Sequence, residues 1–205
     1  MKVQNKKFIY LISPNKIVSK SFFKSLNLVL KSKKVSYFQL RLKKEENKKK
    51  FVIAKKIKKI CEKNNVKFII NDDPFFALKV KADGCHLGQK DMNIFKAKKI
   101  LKNKIIGVTC HNSLKLAKMA SKSGASYIAI GAFYKSSTKK VIYKANIKIL
   151  KKIKKTVNIP IVAIGGINEK NYKKLLLNKA DFLAISGYIW NNSKFIPHKA
   201  IENLK

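Results

Sequence analysis

The sequence predicts an α/β fold, a single-domain (β/α)8 TIM barrel over residues 1–205, on three observations. Short apolar runs alternate with longer amphipathic ones along the whole chain, and strand–helix alternation implies a parallel sheet built from βαβ units. Eight strand candidates in 205 residues match the lower end of the size range for such a barrel. Three segments also repeat one plan of small turn, buried strand and small residue. They are Lys81-Ala82-Asp83-Gly84-Cys85-His86-Leu87-Gly88, Gly124-Ala125-Ser126-Tyr127-Ile128-Ala129-Ile130-Gly131 and Lys179-Ala180-Asp181-Phe182-Leu183-Ala184-Ile185-Ser186. An open doubly wound sheet is the other arrangement, but a glycine-rich dinucleotide fingerprint after the first strand is missing.

The expected strands, in order, are Phe8–Ile12, Tyr37–Leu42, Phe68–Ile70, Gly84–Leu87, Ile105–Val108, Tyr127–Ile130, Ile161–Ile164 and Phe182–Ile185. They are short, predominantly apolar runs set between longer amphipathic stretches. Helical spacing of apolar residues predicts helices over Ile17–Lys31, Lys49–Asn64, Ile94–Leu101, Leu114–Lys122, Ile147–Val157 and Asn171–Leu177. The repeated segments would be the fourth, sixth and eighth strands, with Asp83 and Asp181 as turn residues at the face opposite the strand ends.

Composition narrows the function. A hydrophobic content of 46% is that of a globular protein, so a folded chain is expected despite the charge. The formal net charge of +38 raises the possibility of a nucleic-acid or anionic-membrane partner. The lysines are scattered over nearly every segment and fall on the polar faces of amphipathic stretches, without a recognisable nucleic-acid module. They read as solvated faces, with no specific nucleic acid and no membrane as partner. Cys61, Cys85 and Cys110 form no C-x-x-C pair and leave one odd, as in a reducing cytoplasm. The apolar run at Phe8–Ile12 is too short for a signal-peptide core, and no stretch approaches a membrane span. A cytoplasmic location is expected.

In a parallel barrel the active site lies at the carboxyl ends of the strands. Those ends carry Gln39, Arg41 and Lys43 after the second strand and Asn71, Asp72 and Asp73 after the third. Gln89 and Asp91 follow the fourth, and Thr109 and His111 the fifth. Ser136, Ser137, Thr138 and Lys139 follow the sixth, Gly165 and Gly166 the seventh, Ser186 and Gly187 the eighth. Arg41 is the sole arginine among 48 Lys plus Arg. Arginine grips phosphate or carboxylate through a planar fork, which lysine cannot do. Asp72, Asp73 and Asp91 are three of only ten acidic residues. Carboxylates among these cations form either ordinary ion pairs or a hard-cation site, in which magnesium would be shared with a diphosphate. Gly165-Gly166 and Ser186-Gly187 would cradle a second phosphate through backbone N–H groups, with Ser136 and Thr138 adding hydroxyls. Two anion sites at one mouth suggest a transferase joining two phosphorylated molecules. His86 and His111 read as packed or hydrogen-bonded residues, and no nucleophilic triad is present.

These residues resemble the thiamine-phosphate synthase family, from about Tyr10 to Trp190. The likeness rests on Gln39-x-Arg41-x-Lys43, Ile70-Asn71-Asp72, the run from Ala82 to Met92, Ile106-Gly107-Val108-Thr109, Thr138-Lys139, Ile161 to Ile167 and Ala184-Ile185-Ser186. It implies magnesium-dependent joining of 4-amino-2-methyl-5-(diphosphooxymethyl)pyrimidine to a thiazole phosphate, giving thiamine phosphate and diphosphate through a pyrimidine methylene cation. It further implies that Asp72 and Asp91 bind magnesium and that Gln39, Arg41, Lys43, Asn71, Thr109 and Lys139 hold the pyrimidine diphosphate. Arg41, Lys43 and Lys139 would stabilise its departure. Ser136, Thr138, Gly166, Ile185 and Ser186 would hold the thiazole phosphate. The chain departs from the family at Lys135-Ser136, where relatives usually have proline and threonine, and at Asp73, which adds a negative charge beside the metal pair. The alternatives are a thiazole tautomerase-like barrel and, in another class, a basic protein binding polyanions without specificity. Self-association into a homo-oligomer is left open.

Overall fold

The computed structural model of the chain describes residues 7–17, 19–136 and 142–205. Eight parallel strands close into one barrel in chain order. They are β1 (Ile9–Ile12), β2 (Val35–Leu40), β3 (Lys67–Asn71), β4 (Gly84–Leu87), β5 (Ile105–His111), β6 (Tyr127–Gly131), β7 (Ile161–Ile164) and β8 (Phe182–Ile185). Around them lie α1 (Ser21–Lys31), α2 (Asn47–Lys63), α3 (Pro74–Lys79), α4 (Ile94–Leu101), α5 (Leu114–Lys122), α6 (Lys148–Lys154), α7 (Tyr172–Leu177), α8 (Gly187–Trp190) and α9 (Pro197–Glu202). The β1–β8 pairing through Ile9–Leu183, Tyr10–Ala184 and Leu11–Ile185 closes the cylinder and leaves no sheet edge.

The expected TIM barrel is therefore the observed one, with two informative shifts. β2 begins at Val35, where it pairs with Ile9, and ends at Leu40 rather than Leu42. Beyond Leu40 the backbone N–H of Arg41 leaves the ladder and donates to Ser13 Oγ at 3.0 Å, which turns the following residues out over the mouth. The second shift is the short helix α3, which the apolar spacing did not foretell. Asp73 caps it by accepting from Phe76 N–H at 2.9 Å, and Pro74 occupies its first turn. The charge at Asp73 is thus engaged as a helix cap.

The repeated plan has one physical cause. Lys81, Gly124 and Lys179 all adopt left-handed backbone after a helix, with φ of 54°, 82° and 77°. Two residues later, Asp83, Ser126 and Asp181 each accept a backbone N–H from the start of the preceding strand, that of Phe68, Ile106 and Ile161 respectively. The same three residues donate their own N–H groups back to those residues' carbonyls. This reciprocal clip sets the register of β4, β6 and β8.

Two separate cores result. The larger packs the outer strand faces against the helices, through residues such as Leu26, Ile57, Leu150 and Leu183. The smaller fills the barrel interior with Tyr10, Tyr127, Ala129, Val162 and Ala184, flanked by Tyr37, Ile105 and Phe182. Gly107 makes the interior possible, since a Cβ there would stand 1.9 Å from Tyr127 Cζ. On α2, Lys55, Lys56 and Lys59 are exposed while Ile53, Ala54, Ile57 and Cys61 are buried, so these lysines form a solvated face as expected. Cys61, Cys85 and Cys110 are buried free thiols. Among the described residues no helix is long and apolar enough to cross a membrane.

Candidate active site

Strand alternation puts every second side chain inside the barrel, so Gln39 follows Tyr37 inward, Asn71 follows Ile69 and Thr109 follows Gly107. They sit one step above the aromatic layer, at the carboxyl ends. Gln39 is 3% exposed and donates through Nε2 to Tyr10 Oη at 3.1 Å. Arg41 projects from the turn after β2, and its guanidinium Nη1 donates to Asn15 Oδ1 at 3.0 Å. Ser13 and Asn15, at the end of β1, therefore hold Arg41 from below and from the side. The sequence reading passed over that strand end because neither residue has a chemical signature of its own.

Lys43 reaches Asp72 at 2.9 Å. Asp72 occupies left-handed backbone with φ 68°, a strained setting for a non-glycine residue, held by its N–H donating to His86 O at 2.8 Å. That kink brings its carboxyl onto Asp91, whose own Oδ2 accepts from Gly88 N–H at 2.7 Å. A Cβ at Gly88 would stand 2.9 Å from that oxygen, so the glycine makes room for the carboxylate. Partial burial opposes both negative charges. Lys43 and the bond to Asp91 outweigh it at Asp72, which is held below the usual carboxylate range, whereas burial and then Asp72 push Asp91 up. Two adjoining carboxyls, one held low and the other pushed up, form a hard-oxygen pair suited to a cation. Among the described residues no third His, Cys, Asp or Glu joins them.

On the other side of the mouth, a cavity of about 490 Å³ is lined by Ser136, Gly166, Ile185 and Ser186. Gly165 and Gly166 have φ of 107° and 62°, which glycine adopts without penalty. Tyr134 N–H donates to Gly165 O, and Asn171 Nδ2 donates to Gly166 O at 3.0 Å. Ser186 Oγ donates to Ser13 O at 3.2 Å, which ties this half to the segment that holds Arg41. The sequence reading missed Lys170 and Lys194, which line the cavity together with Lys135. In a chain with lysine everywhere, only position distinguishes them. Thr138 and Lys139 lie outside the described residues.

His86 is fully engaged, with Nδ1 3.0 Å from Tyr127 Oη and Nε2 2.8 Å from Thr109 Oγ1. Burial lowers its pKa to about 4, so the ring is neutral at neutral pH. Gln89 donates to the Thr109 carbonyl, and the His111 ring packs at a tilt against Tyr143 with centroids 4.1 Å apart. His86 is thus hydrogen-bonded and His111 packed against a ring, as expected.

A family model described as thiamine monophosphate synthase matches residues 9–189. The chain is 67% identical over 201 residues to the thiamine-phosphate synthase of Pelagibacter ubique, covering 98% of this chain and 97% of that one. It is 38% identical to the thiamine-phosphate synthase of Clostridium acetobutylicum over 91% of this chain and 88% of that one. Among solved structures, it is similar to the thiamine phosphate pyrophosphorylase from Pyrococcus furiosus, with a TM-score of 0.85 and 30% identity, covering 99% and 96% of the two chains.

Proposed function

The chain belongs to the thiamine-phosphate synthase family, and from that premise we propose that it joins 4-amino-2-methyl-5-(diphosphooxymethyl)pyrimidine to a thiazole phosphate, releasing diphosphate. The observation that carries the reading is the Lys43–Asp72–Asp91 constellation beside Arg41. A phosphate-binding barrel of the tautomerase type has no use for this set, nor has a polycation whose lysines lie on solvated helix faces.

Arg41 and Lys43 bind the diphosphate oxygens as charge accumulates on the leaving group, and Lys139 is proposed to add a third cation. Asp72 and Asp91 would hold magnesium, with water and substrate oxygens completing its shell. When bound, the ion neutralises part of the diphosphate charge. Gln39, Asn71 and Thr109 orient the pyrimidine. The electron-rich aminopyrimidine stabilises the methylene cation left behind as the C–O bond breaks. Ser136, Thr138, Gly166, Ile185 and Ser186 hold the thiazole phosphate, so that the thiazole nitrogen is placed to form the new C–N bond. No protein nucleophile takes part. The buried aromatic floor keeps water from below the cation. Cys61, Cys85 and Cys110, buried as free thiols, support a cytoplasmic setting.

The deciding experiment follows diphosphate release and thiamine phosphate formation from both substrates, with magnesium and then with EDTA. Magnesium-dependent product is expected. Folded protein that binds the thiazole phosphate but makes no product would overturn the reading.

A further inference from the structure

Behind the double-glycine loop lies a side chain that the mechanism above does not use. Asn171 holds the N-cap position of α7, where an asparagine side chain ordinarily accepts an N–H from the first turn of its own helix. Here it makes no such bond. Its amide turns back instead across the loop after β7. Nδ2 donates to Gly166 O at 3.0 Å, and Oδ1 accepts from Asn168 N–H at 3.0 Å. Only this orientation of the amide satisfies both neighbours, because a carbonyl must meet a donor and an N–H an acceptor. The Asn171 backbone serves the same turn, its N–H donating to Asn168 O at 3.3 Å.

The clamp decides which way two peptide groups face. Gly165 O accepts from Tyr134 N–H at 3.1 Å and Gly166 O from Asn171, and neither Tyr134 nor Asn171 lines the cavity. The Gly165–Gly166 and Gly166–Ile167 peptides are trans, so each N–H points opposite to the carbonyl of its own peptide group. The N–H groups of Gly166 and Ile167 are thereby turned toward the cavity that Gly165, Gly166 and Ile167 line. Neither has a hydrogen-bond partner in the protein among the described residues. The first peptide is fixed by a backbone group, whatever the side chain at Tyr134. The second depends on one side chain, because glycine lets the Gly166–Ile167 peptide tilt and bring its carbonyl oxygen toward an anion.

We propose that Asn171 is a positioning residue for the phosphate of the thiazole substrate. Its amide holds the Gly166 carbonyl behind the loop, so that the Gly166 and Ile167 N–H groups form a preset anion cradle. The proposal rests on the functional reading above for the molecule that carries the phosphate. Two N–H groups already turned to the anion need little reordering when it binds, and affinity gains by that amount. Asn171 itself touches no substrate and acts through Gly166 and Ile167.

Binding of the thiazole phosphate and of its dephosphorylated alcohol, each titrated alone and followed by amide NMR, tests the proposal. In the wild type the phosphate should move the Gly166 and Ile167 amide protons downfield, and the alcohol should not. Asn171→Ser leaves α7 with a good N-cap residue but is too short to reach Gly166 O. Asn171→Asp keeps an acceptor for Asn168 N–H and loses the donor to Gly166 O. Both should weaken phosphate binding by about 10-fold, the equivalent of one hydrogen bond to a charged group, and change alcohol binding by less than about twofold. In turnover the loss should fall on KM for the thiazole phosphate, with kcat and the pyrimidine KM within about twofold of wild type. A loss in Asn171→Asp alone would mean repulsion by the new charge and overturns the clamp. Equal losses for phosphate and alcohol, or unmoved Gly166 and Ile167 amides in the wild type, overturn it as well. A wild type that binds the thiazole phosphate but makes no product refutes the functional reading and leaves the clamp to be decided by the binding ratios. One that binds the phosphate no better than the alcohol overturns the clamp itself.

Discussion

Replacing Arg41 by lysine keeps the charge and removes the fork. The Arg41 guanidinium places Nη1 on Asn15 Oδ1 at 3.0 Å, so one arm is anchored and the other nitrogens are free for diphosphate oxygens. A lysine at this position has one nitrogen for both tasks. If it serves the substrate it loses the Asn15 anchor, and with it the orientation that anchor confers. The loss amounts to one charge-assisted hydrogen bond plus its positioning, about 2–3 kcal/mol, or about 30- to 150-fold in kcat/KM. Arg41→Ala removes the charge as well and should cost about 10³-fold or more. Neither change should shift the thermal midpoint by more than a few degrees, because the Arg41 side chain is only partly buried and its backbone bond to Ser13 is retained. The assay is diphosphate release with the pyrimidine diphosphate varied at saturating thiazole phosphate. If Arg41→Lys stays within about threefold of wild type while Arg41→Ala collapses, charge alone suffices and the argument from the fork is wrong.

Three further outcomes are expected. Asp91→Asn should raise the magnesium concentration giving half-maximal rate by about 10-fold or more, read from magnesium titrations, since the pair keeps one ionised carboxylate. Gly166→Ala places a Cβ 2.0 Å from Lys135 O at φ 62°. It should therefore raise KM for the thiazole phosphate by about 10-fold and leave pyrimidine binding intact, as measured by titrating each substrate alone. Stability should fall as pH drops from 6.5 towards 4, because the unfolded chain takes up a proton on His86 that the folded chain refuses until about pH 4. The contribution is fully present above pH 6.5, and at pH 5 its loss is about 2 kcal/mol. Urea unfolding at pH 7 and pH 5 measures this, and equal stabilities would show that His86 is accessible to protons in the folded state.

Much of the site was legible because its residues have chemistry that stands out against their background. One arginine among lysines and two carboxylates at strand ends mark themselves in a chain with ten acids. Position along each strand then fixed which end they occupy. Lys170 and Lys194 could not be singled out in the same way, since nothing local distinguishes them from the surface lysines. Helix α3 is too short for apolar spacing to reveal it, although Asp73-Pro74 is a cap followed by a first-turn proline and could have betrayed its start. α9 likewise begins at Pro197.

The sequence by itself determined the alternation of elements, the eight strands, the turns before β4, β6 and β8 and the polarity of the mouth. These depend on residue type and near neighbours, and a local pattern suffices to specify them. Only the tertiary structure decided how Ser13 joins Arg41 to Ser186, and how Asp72 meets Asp91. It also decided that Gln39 reaches Thr109 through two tyrosines and a histidine. Tyr10 and Tyr127 are separated by 117 residues, and their hydroxyls meet because the barrel closes and Gly107 yields the space. Such contacts are set by closure of the sheet, a property of the whole chain that no window of sequence contains.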